Sequence, residues 1–512
     1  MESGQTNCLT QRVWQKYKLP YTEKITKDMI TERKDVLKRF KINLIPLCLT
    51  YFAVVIISGC ASMSAKKELS AFNTLYSSGQ YLAAANLELK EKGDEKSDPS
   101  NLLQMLQAGA ALRYARKYPQ STELFDECEA VIKYFNEQLF ISDAGSAIVS
   151  VLVNDASLDY SGEEYDGVMV NTYKALNFWK IGKNDLARIE FNRALDRQRR
   201  AKERFAEEIS KMKEELNKKQ AEENRNAAQN KAPKMDIDKA VNNPEIDKIL
   251  KKKYSNLYAF KAYPDFINPF TTYMAGLFFL SEGDYAKAAT LLKETYGMVE
   301  ENPVVADDFA TVERILDGKR SEGHYTWIIF ENGLGPEKEE FRVDLPIFFV
   351  TDRVKYAGIA LPKLKFRRQA FLYLVVRNAG KETAKTRALA SMDRVIQTEF
   401  KMRYPLIVTR AVISMLMKTY AQYLAQKHLG NIGGIFAAIY QLATTAADIR
   451  MWTALPKEFQ VAKIVTPERG SVTIATPDGK AYNVSVPKKK NSLIYVKIPR
   501  KGARVVIDVM EL

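Results

Sequence analysis

Residues 271–297 read TTYMAGLFFLSEGDYAKAATLLKETYG, which is two apolar helix patterns joined by a short polar turn. Gly283 and Tyr285 mark the turn, and Ala288 offers a small side chain where the second helix would approach the first. A turn glycine followed by an aromatic residue and a packing alanine is typical of a tetratricopeptide-like helix pair. Asn302-Pro303 follows where such a pair would end. The stretch therefore predicts one unit of a helical-repeat fold.

Three earlier sites share this pattern in weaker form, centred on Gly79 and Tyr81, on Tyr118, and on Gly182 and Ala187. Tyr81 and Tyr118 lie 37 residues apart, close to the period of about 34 residues in such repeats. The four sites predict a helical domain over residues 60–310. An unrelated helical bundle would fit the same degenerate pattern, but a repeat array would present a concave surface for a peptide or a partner helix.

An insertion of about residues 196–262 separates the third and fourth sites. Its apolar residues Phe205, Ile209, Met212 and Leu216 follow a 4-3-4 spacing, which places one apolar stripe along a charged helix, as in a coiled coil. A polar segment ends at Pro233, and a second apolar pattern runs back after Pro244. The insertion predicts a protruding helical hairpin. Its charged residues either form a solvated face or make the hairpin an arm that binds a partner.

Past Asp308 the apolar spacing changes from the helical period towards the alternation of β-strands. Strand-like runs begin at Tyr325, Phe341, Val354 and Phe371, and four or five more follow from Gln460 to the last residue. Residues 381–454, between these two groups, are predicted to be a helical insertion. The predicted fold class is α+β, mainly α: tetratricopeptide-like helical repeats followed by a β-sheet domain over residues 311–512, assembled from two segments.

The N-terminal segment has the pattern of a secretion signal. Basic residues between Arg33 and Lys41 precede a 14-residue apolar run that ends at Ile57, whereas a membrane-spanning helix needs about 20 such residues. Small residues lead to Gly59-Cys60, so we predict a signal peptide over residues 1–59 that is cleaved before Cys60. Residues 1–28 are either an extended n-region or follow a misplaced start.

Cys60 would then carry the lipid, with membrane attachment through its acyl chains, palmitate included. No aspartate follows Cys60, which favours the outer membrane over retention at the inner one in a Gram-negative host. The alternative is an uncleaved inner-membrane anchor. Cys8 and Cys48 would leave with the signal, so Cys128 would remain as a lone thiol and no intramolecular disulfide is expected.

The chain is basic, with a pI near 9.2 and a formal charge of +15. Residues 463–504 hold ten basic and two acidic residues, so positive charge is concentrated near the C-terminus. In an exported chain, such charge favours an anionic polymer or lipid rather than nucleic acid as the partner. Lysines that merely keep exposed strands soluble and unpaired would give the same pattern.

These landmarks resemble an uncharacterised family of bacterial, predominantly proteobacterial, lipoproteins with a tetratricopeptide-like N-terminal half. The motifs that carry the resemblance are Tyr173-Lys-Ala-Leu176, Phe266-Ile-Asn-Pro-Phe270, Glu331-Asn-Gly333 with Pro336, Leu361-Pro362, and Ala447-Asp448-x-Arg450-x-Trp452-x2-Leu455-Pro456. The resemblance covers most of the chain from Cys60 to about residue 470. It implies no catalytic residue, because the family has no established activity. Members are sometimes encoded near small lipoproteins that are similar to activators of penicillin-binding proteins. The resemblance therefore implies a partner in envelope assembly.

The usual catalytic patterns are missing from the sequence. The two histidines, His324 and His428, are far apart, and no Cys-x-x-Cys or glycine-rich phosphate loop is present; we therefore predict no metal, no cofactor and no enzymatic activity. Asp448 and Arg450 are predicted to pair beneath Trp452 and lock a helix to the sheet, or to bind a ligand carboxylate.

Four other acidic residues are candidate catalytic groups. Glu331 precedes Asn-Gly, which readily forms a tight turn. Glu163, Glu164 and Asp166 lie near tyrosines and would suit glycan hydrolysis in principle, although acidic clusters of this kind are common on loops.

The leading functional hypothesis is an outer-membrane lipoprotein, facing the periplasm, that acts as a protein-interaction scaffold in an envelope complex, with wall synthesis as one setting. Its helical repeats would bind other envelope proteins. The first alternative is a protein that binds or cleaves peptidoglycan or another glycan. The second is an accessory component of a secretion or motility apparatus.

Overall fold

The computed structural model describes residues 67–93, 96–141, 159–229, 244–258, 262–263, 267–299, 302–319, 323–344 and 358–512. The predicted signal segment, with Gly59 and Cys60, lies outside these residues. The chain from Ser64 to Leu512 forms one compact unit. Within the described residues, no helix combines the length and the apolar character needed to cross a membrane.

The helical half consists of consecutive helix pairs. In chain order the helices are α1 (67–77), α2 (Tyr81–Lys92), α3 (Leu102–Tyr114), α4 (Tyr118–Ile141), α5 (Glu164–Lys180), α6 (Asn184–Gln229), α7 (Pro244–Lys253), α8 (Pro269–Ser281), α9 (Tyr285–Met298) and α10 (Pro303–Leu316), with short 3-10 turns at Pro99–Asn101 and Ser255–Tyr258. The four predicted repeat sites fall at the turns of the pairs α1–α2, α3–α4, α5–α6 and α8–α9. Tetratricopeptide-like repeats are thus present in the N-terminal half.

The four repeat turns share one hydrogen-bond pattern. The backbone N–H groups of Gln80, Lys117, Lys183 and Asp284 each donate to the carbonyl five residues earlier, at 2.9–3.0 Å, as in a Schellman motif at a helix end. Such a motif needs a positive φ at the residue before the donor. Gly79, Gly182 and Gly283 supply it, whereas Arg116 takes this conformation at the second turn. The missing glycine explains why that site is weak in the sequence.

The strands of the described residues form three sheets. They are β1 (Tyr325–Asn332), β2 (Glu337–Asp344), β3 (Gly358–Lys365), β4 (Val375–Asn378), β5 (Lys381–Lys385), β6 (Arg387–Ser391), β7 (Glu458–Val465), β8 (Ser471–Ala475), β9 (Ala481–Ser485), β10 (Ser492–Ile498) and β11 (Val506–Glu511). The main sheet has the order β11-β10-β1-β7-β6, a second has the order β5-β4-β8-β9, and β2 pairs with β3. Both larger sheets combine strands from before and after the helical insertion, as expected.

The helical insertion is shorter than predicted. Helix α11 runs over Met392–Thr444, so the predicted bounds 381–454 are wrong at both ends. Residues 381–391 form β5 and β6 because Ala379 and Gly380 both have positive φ and close a two-residue hairpin between β4 and β5. Ser391 then caps α11, its hydroxyl oxygen accepting the N–H of Arg394 at 3.2 Å.

The insertion predicted over residues 196–262 contains parts of α6 and all of α7, and its two ends contact the rest of the chain. Its predicted tip, residues 230–243, lies outside the described residues. Helix α6 passes through residue 196 without a break, and Phe205 is buried beside the guanidinium of Arg403, whose carbon lies 5.1 Å from the ring centroid. On the return segment, the Tyr254 hydroxyl donates to the carbonyl of Pro362 at 2.7 Å. Both roots of the insertion therefore pack on α11 and β3 rather than protruding.

The helical repeats and the main sheet share one hydrophobic core, although the sequence predicted separate domains divided at residue 310. Phe270 of α8 stacks on Phe459 of β7 with ring centroids 3.5 Å apart. Tyr76 of α1 donates a hydrogen bond of 3.1 Å to the carbonyl of Ala454. The first helix of each pair (α1, α3, α5 and α8), which we call the inner helices, thus includes residues that contact the C-terminal half.

Close helix packing inside the second pair gives a testable prediction. A Cβ atom on Gly109 would lie 2.6 Å from a ring carbon of Phe125, which is fully buried. We expect Gly109→Ala to lower the free energy of unfolding by about 1–3 kcal/mol, because the buried ring has little room to move. Urea unfolding would measure this. Gly297→Ala is the matched control, since that helical glycine has open space around it; a loss as large there would refute the packing explanation.

Candidate functional site

The predicted repeat residues fall into two groups. Tyr81, Tyr118, Ala187 and Ala288 are buried, with at most 8% of their surface exposed. Tyr285 begins helix α9 but is 38% exposed, so it marks the turn without packing in the core. The repeats are thus built on the predicted positions except for this aromatic residue.

The inner helices face the chain's own C-terminal half rather than solvent. The side-chain amide of Gln107 in α3 makes two hydrogen bonds to that half. Its Nε2 donates to the Thr453 hydroxyl at 2.8 Å, and its Oε1 accepts the N–H of Ala454 at 3.1 Å. Tyr76 bonds to the same residue, Ala454. The concave surface expected to bind a peptide or a partner helix is therefore occupied, at these points, by residues 453–454.

A buried ion pair lies at the junction of the inner helices and the sheet. Glu331 of β1 and Lys497 of β10 face each other in the parallel register, and their charged atoms lie 2.6 Å apart with both side chains 0% exposed. Glu331 is thus a strand residue and not part of a turn. Burial lowers the pKa of Lys497, while Glu331 acts against this shift.

Three tyrosine hydroxyl groups complete the surroundings of Glu331. Tyr495 donates at 2.6 Å, Tyr173 at 3.1 Å, and Tyr114 also donates to the carboxylate. The Nζ atom of Lys497 lies 5.0 Å from the ring centroid of Tyr114. Since α3, α5, β1 and β10 each contribute a partner, this network ties the helices to the sheet. All five side chains are buried, so the role that the contacts give this network is to hold the helices and the sheet together.

Asp448 and Arg450 form the predicted ion pair, but Trp452 does not cover it. The guanidinium of Arg450 makes two 2.9 Å contacts with the carboxylate of Asp448 and lies 5.9 Å from the ring centroid of Tyr160. Trp452 is 1% exposed and packs instead between the rings of Phe125 and Tyr173. The pair therefore lies at a surface, whereas the indole is a core residue. The ion pair and the indole share one sequence motif only because Trp452 follows Arg450 by two residues.

The Asp448–Arg450 pair lines a cavity of about 210 Å³. Charged side chains from the start of α5, from α6 and from β2 form one part of its wall, and apolar residues of β3 and α11 form another. The lining residues that matter here are Tyr160, Glu163, Glu208, Lys338, Ile359, Arg403, Ile407, Met415, Asp448 and Arg450. This cavity has mixed charge with an apolar side, which suits a small polar ligand.

The acidic residues considered for glycan hydrolysis are held by local partners. Glu163 contacts Lys338 and Arg403, each at 2.9 Å. Burial opposes the ionisation of Glu163, but these two cations outweigh it and hold its pKa well below the usual range. Arg403 also contacts Glu399 at 3.0 Å, and that carboxylate accepts the N–H of Glu164 at 2.9 Å. The cluster joins α5 to α11 and β2.

Asp166 gives a prediction for the pH dependence of stability. Its side chain is fully buried, accepts hydrogen bonds from the Tyr160 hydroxyl (2.6 Å) and the Glu163 N–H (2.9 Å), and has a pKa raised by burial to about 7. An unfolded aspartate has a pKa near 4, so the folded state binds this proton more tightly. Its stabilising effect is therefore complete below about pH 4 and is lost as the pH rises through 7.

Relative to Asp166→Asn, wild-type stability should fall by roughly 2–4 kcal/mol between pH 4 and pH 7.5, since one pKa unit corresponds to about 1.4 kcal/mol. Urea unfolding of both proteins across this range would measure the difference. Parallel pH profiles for the two proteins would contradict the assignment.

The basic C-terminal region is partly neutralised by ion pairs. Lys463 contacts Asp307 and Asp308, both at 2.7 Å. Lys490 pairs with Glu511, and Lys497 is buried in the network described above. The ten cations between residues 463 and 504 are therefore not one continuous surface for an anionic polymer. Among the described residues, no group of three His, Cys, Asp or Glu side chains is placed to hold a metal ion.

Comparison with solved structures shows a distant likeness to helical-repeat proteins. A crystal structure of nearly identical TPR-like repeats, assigned to a Podosopora anserina kinesin light chain, aligns with a TM-score of 0.20 and 12% identity over 50% of this chain and 97% of that one. No protein-family model and no curated protein sequence matches the chain. The assignment of tetratricopeptide-like repeats therefore rests on the helix pairs and turns described above.

Proposed function

We propose that this protein is an outer-membrane lipoprotein, facing the periplasm, that acts as a protein-interaction scaffold in an envelope complex. The tetratricopeptide-like repeats support the scaffold role, because arrays of this type generally bind other proteins. The basic segment, the apolar run and Gly59-Cys60 in the sequence support the lipid anchor. Envelope assembly, including wall synthesis, is the setting that the motif resemblance favours.

The observation that carries the scaffold proposal is the exposure of apolar side chains on α6, the second helix of the third repeat. Leu186 and Ile189 of α6 are 39% and 45% exposed, and residues three apart lie on the same side of a helix. Ile181, at the turn before them, is 37% exposed. Since the inner helices contact the chain's own C-terminal half, a partner protein would bind this outer surface.

Two matched variants test this surface in cells. A photo-crosslinking amino acid at position 189 should capture a specific envelope protein, and Leu186→Glu should reduce its yield about tenfold or more, since charge in an apolar contact costs over 1.4 kcal/mol. Leu82→Glu is the control, because Leu82 is 47% exposed on a different helix. Absence of any specific product, or equal loss in both variants, would contradict the proposal.

The anchor is tested separately by labelling cells with a palmitate analogue. Full-length protein should be labelled and should fractionate with the outer membrane, whereas Cys60→Ala should be unlabelled. If neither form is labelled and both remain in the inner membrane, the N-terminal segment is an uncleaved anchor. The captured partners would also show whether the complex belongs to wall synthesis or to a secretion or motility apparatus.

The cavity beside Asp448 and Arg450 supports a second candidate function, binding or cleavage of a glycan. Purified sacculi, incubated with the protein in low and high salt, would test it. Retention that survives high salt and is accompanied by glycan release would favour this function over the scaffold.

A further inference from the structure

An open cleft of about 620 Å³ lies beside residues 366–373, the loop between β3 and β4, which we call the 366–373 loop. Four cationic side chains line it: Arg367, Arg368, Lys457 and Lys501. Among the described residues that form its walls, none is acidic. The cleft is separate from the 210 Å³ cavity, with which it shares no lining residue.

Arg367 is a partly buried cation without a carboxylate partner. Its guanidinium donates to the carbonyl of Gly335 and, at 2.5 Å, to that of Thr453. Within the described part of the chain, no carboxylate lies at ion-pair distance from it. Burial lowers the pKa of this guanidinium to about 10. Since a charge removed from water is costly unless it is paired, Arg367 favours the arrival of an anion.

The two acidic residues whose charges act on Arg367 already have cationic partners. Glu337 contacts Lys365 at 2.8 Å. Asp393 pairs with Lys457. Neither carboxylate is therefore available as the counter-charge, and the remaining cations of the cleft, Arg368 and Lys501, add further positive potential at its opening.

The cleft is held in shape by Asn332 at the end of β1. Its side-chain oxygen accepts the N–H groups of Ala370 (3.0 Å) and Phe371 (3.3 Å). Its side-chain amide donates to the carbonyl of Phe371 and to Glu458, both at 2.7 Å. Three hydrogen bonds thus fix the 366–373 loop before any ligand arrives, and the fourth ties Asn332 to β7; this order lowers the entropic cost of binding.

Exposed apolar side chains border these cations. Leu372, on the cleft wall, is 72% exposed, and Phe366 is 38% exposed. The Nζ atom of Lys457 lies 5.9 Å from the ring centroid of Phe366. Cations next to exposed apolar groups match a ligand that carries an anionic head group and an apolar chain.

We propose that this cleft binds the phosphate group of an anionic phospholipid. Arg368 and Lys501 contact the phosphate, the partly buried guanidinium of Arg367 supplies the counter-charge beneath it, and Leu372 lies against the apolar part of the lipid. The proposal does not depend on Cys60 or on the repeat surface. It would give the C-terminal half its own contact with a membrane.

The test uses the full-length chain in a non-ionic detergent, titrated by calorimetry with dihexanoyl phosphatidylglycerol, a short lipid that is soluble as a monomer. Wild-type protein should bind this lipid but not dihexanoyl phosphatidylcholine, whose choline cancels the phosphate charge. The double variant Arg368→Ala/Lys501→Ala should weaken binding about tenfold or more, as expected for lost charge-assisted contacts. Both positions are exposed, so circular dichroism should show an unchanged fold.

Lys381→Ala/Arg469→Ala is the matched control, because it removes the same two residue types from exposed positions outside the cleft. It should bind like the wild type. Leu372→Ser should weaken binding of the phospholipid and leave binding of inorganic phosphate unchanged. Equal binding by the cleft and control variants would overturn the proposal. So would inorganic phosphate that binds as tightly as the lipid with no effect of Leu372→Ser, because the ligand would then be free phosphate.

Discussion

Replacing Lys497 by methionine is expected to lower the free energy of unfolding by about 3–5 kcal/mol. The substitution leaves the carboxylate of Glu331 in a fully buried site without its cation. Three tyrosine hydroxyl groups would still donate to that carboxylate, but hydrogen bonds alone do not supply the lost charge. Urea unfolding followed by circular dichroism would measure the change.

The double variant Glu331→Gln/Lys497→Met separates charge from packing. It removes both charges while keeping similar side-chain volumes, so it should recover much of the stability lost in Lys497→Met. If the double variant is as unstable as the single one, the loss comes from packing at this junction and not from the unpaired carboxylate.

The second large effect is expected for Trp452→Ala, which should cost about 3–5 kcal/mol because a buried aromatic side chain leaves a cavity. The indole lies 5.8 Å from the ring of Phe125 and 5.9 Å from that of Tyr173, measured between centroids. Thermal and urea unfolding would both report the loss. Residues of α4 and α5 would be released from the segment before β7.

Trp452→Phe provides the control for this prediction. Among the described residues, the indole N–H of Trp452 has no hydrogen-bond acceptor, so phenylalanine removes no hydrogen bond and keeps most of the ring contact. Its cost should be well below that of alanine. Equal losses for the two variants would show that the site depends on the indole in a way that packing does not explain.

The repeats could be predicted from the sequence because their signal is local. Gly79, Gly182 and Gly283 lie at turns that require positive φ, and each stands within a few residues of its aromatic or alanine partner. The same reasoning failed where a long-range contact decides the outcome. Residues 381–385 have a charged, helix-like composition, yet the hairpin at Ala379-Gly380 pairs them with β4.

The candidate sites show the same limit. The Asp448–Arg450 pair was predictable because the two residues are neighbours, whereas the partners of Glu331 come from helices more than 150 residues earlier and from a strand 166 residues later. The cleft beside the 366–373 loop was missed for the same reason. No sequence signal marks Arg367 as part of a cleft, and only the fold brings Lys457 and Lys501 beside it.

The contact between Tyr76 and Ala454 also bears on how this protein folds. Arrays of helical repeats usually fold quickly, because each unit touches only its sequence neighbours. Here Tyr76 of the first helix donates a hydrogen bond to a carbonyl 378 residues later. Contacts between such distant parts of the sequence raise the contact order and predict slow folding. The first helix cannot make its contact with Ala454 until almost the whole chain has been synthesised. A chaperone would therefore have to keep this helix from aggregating during that interval.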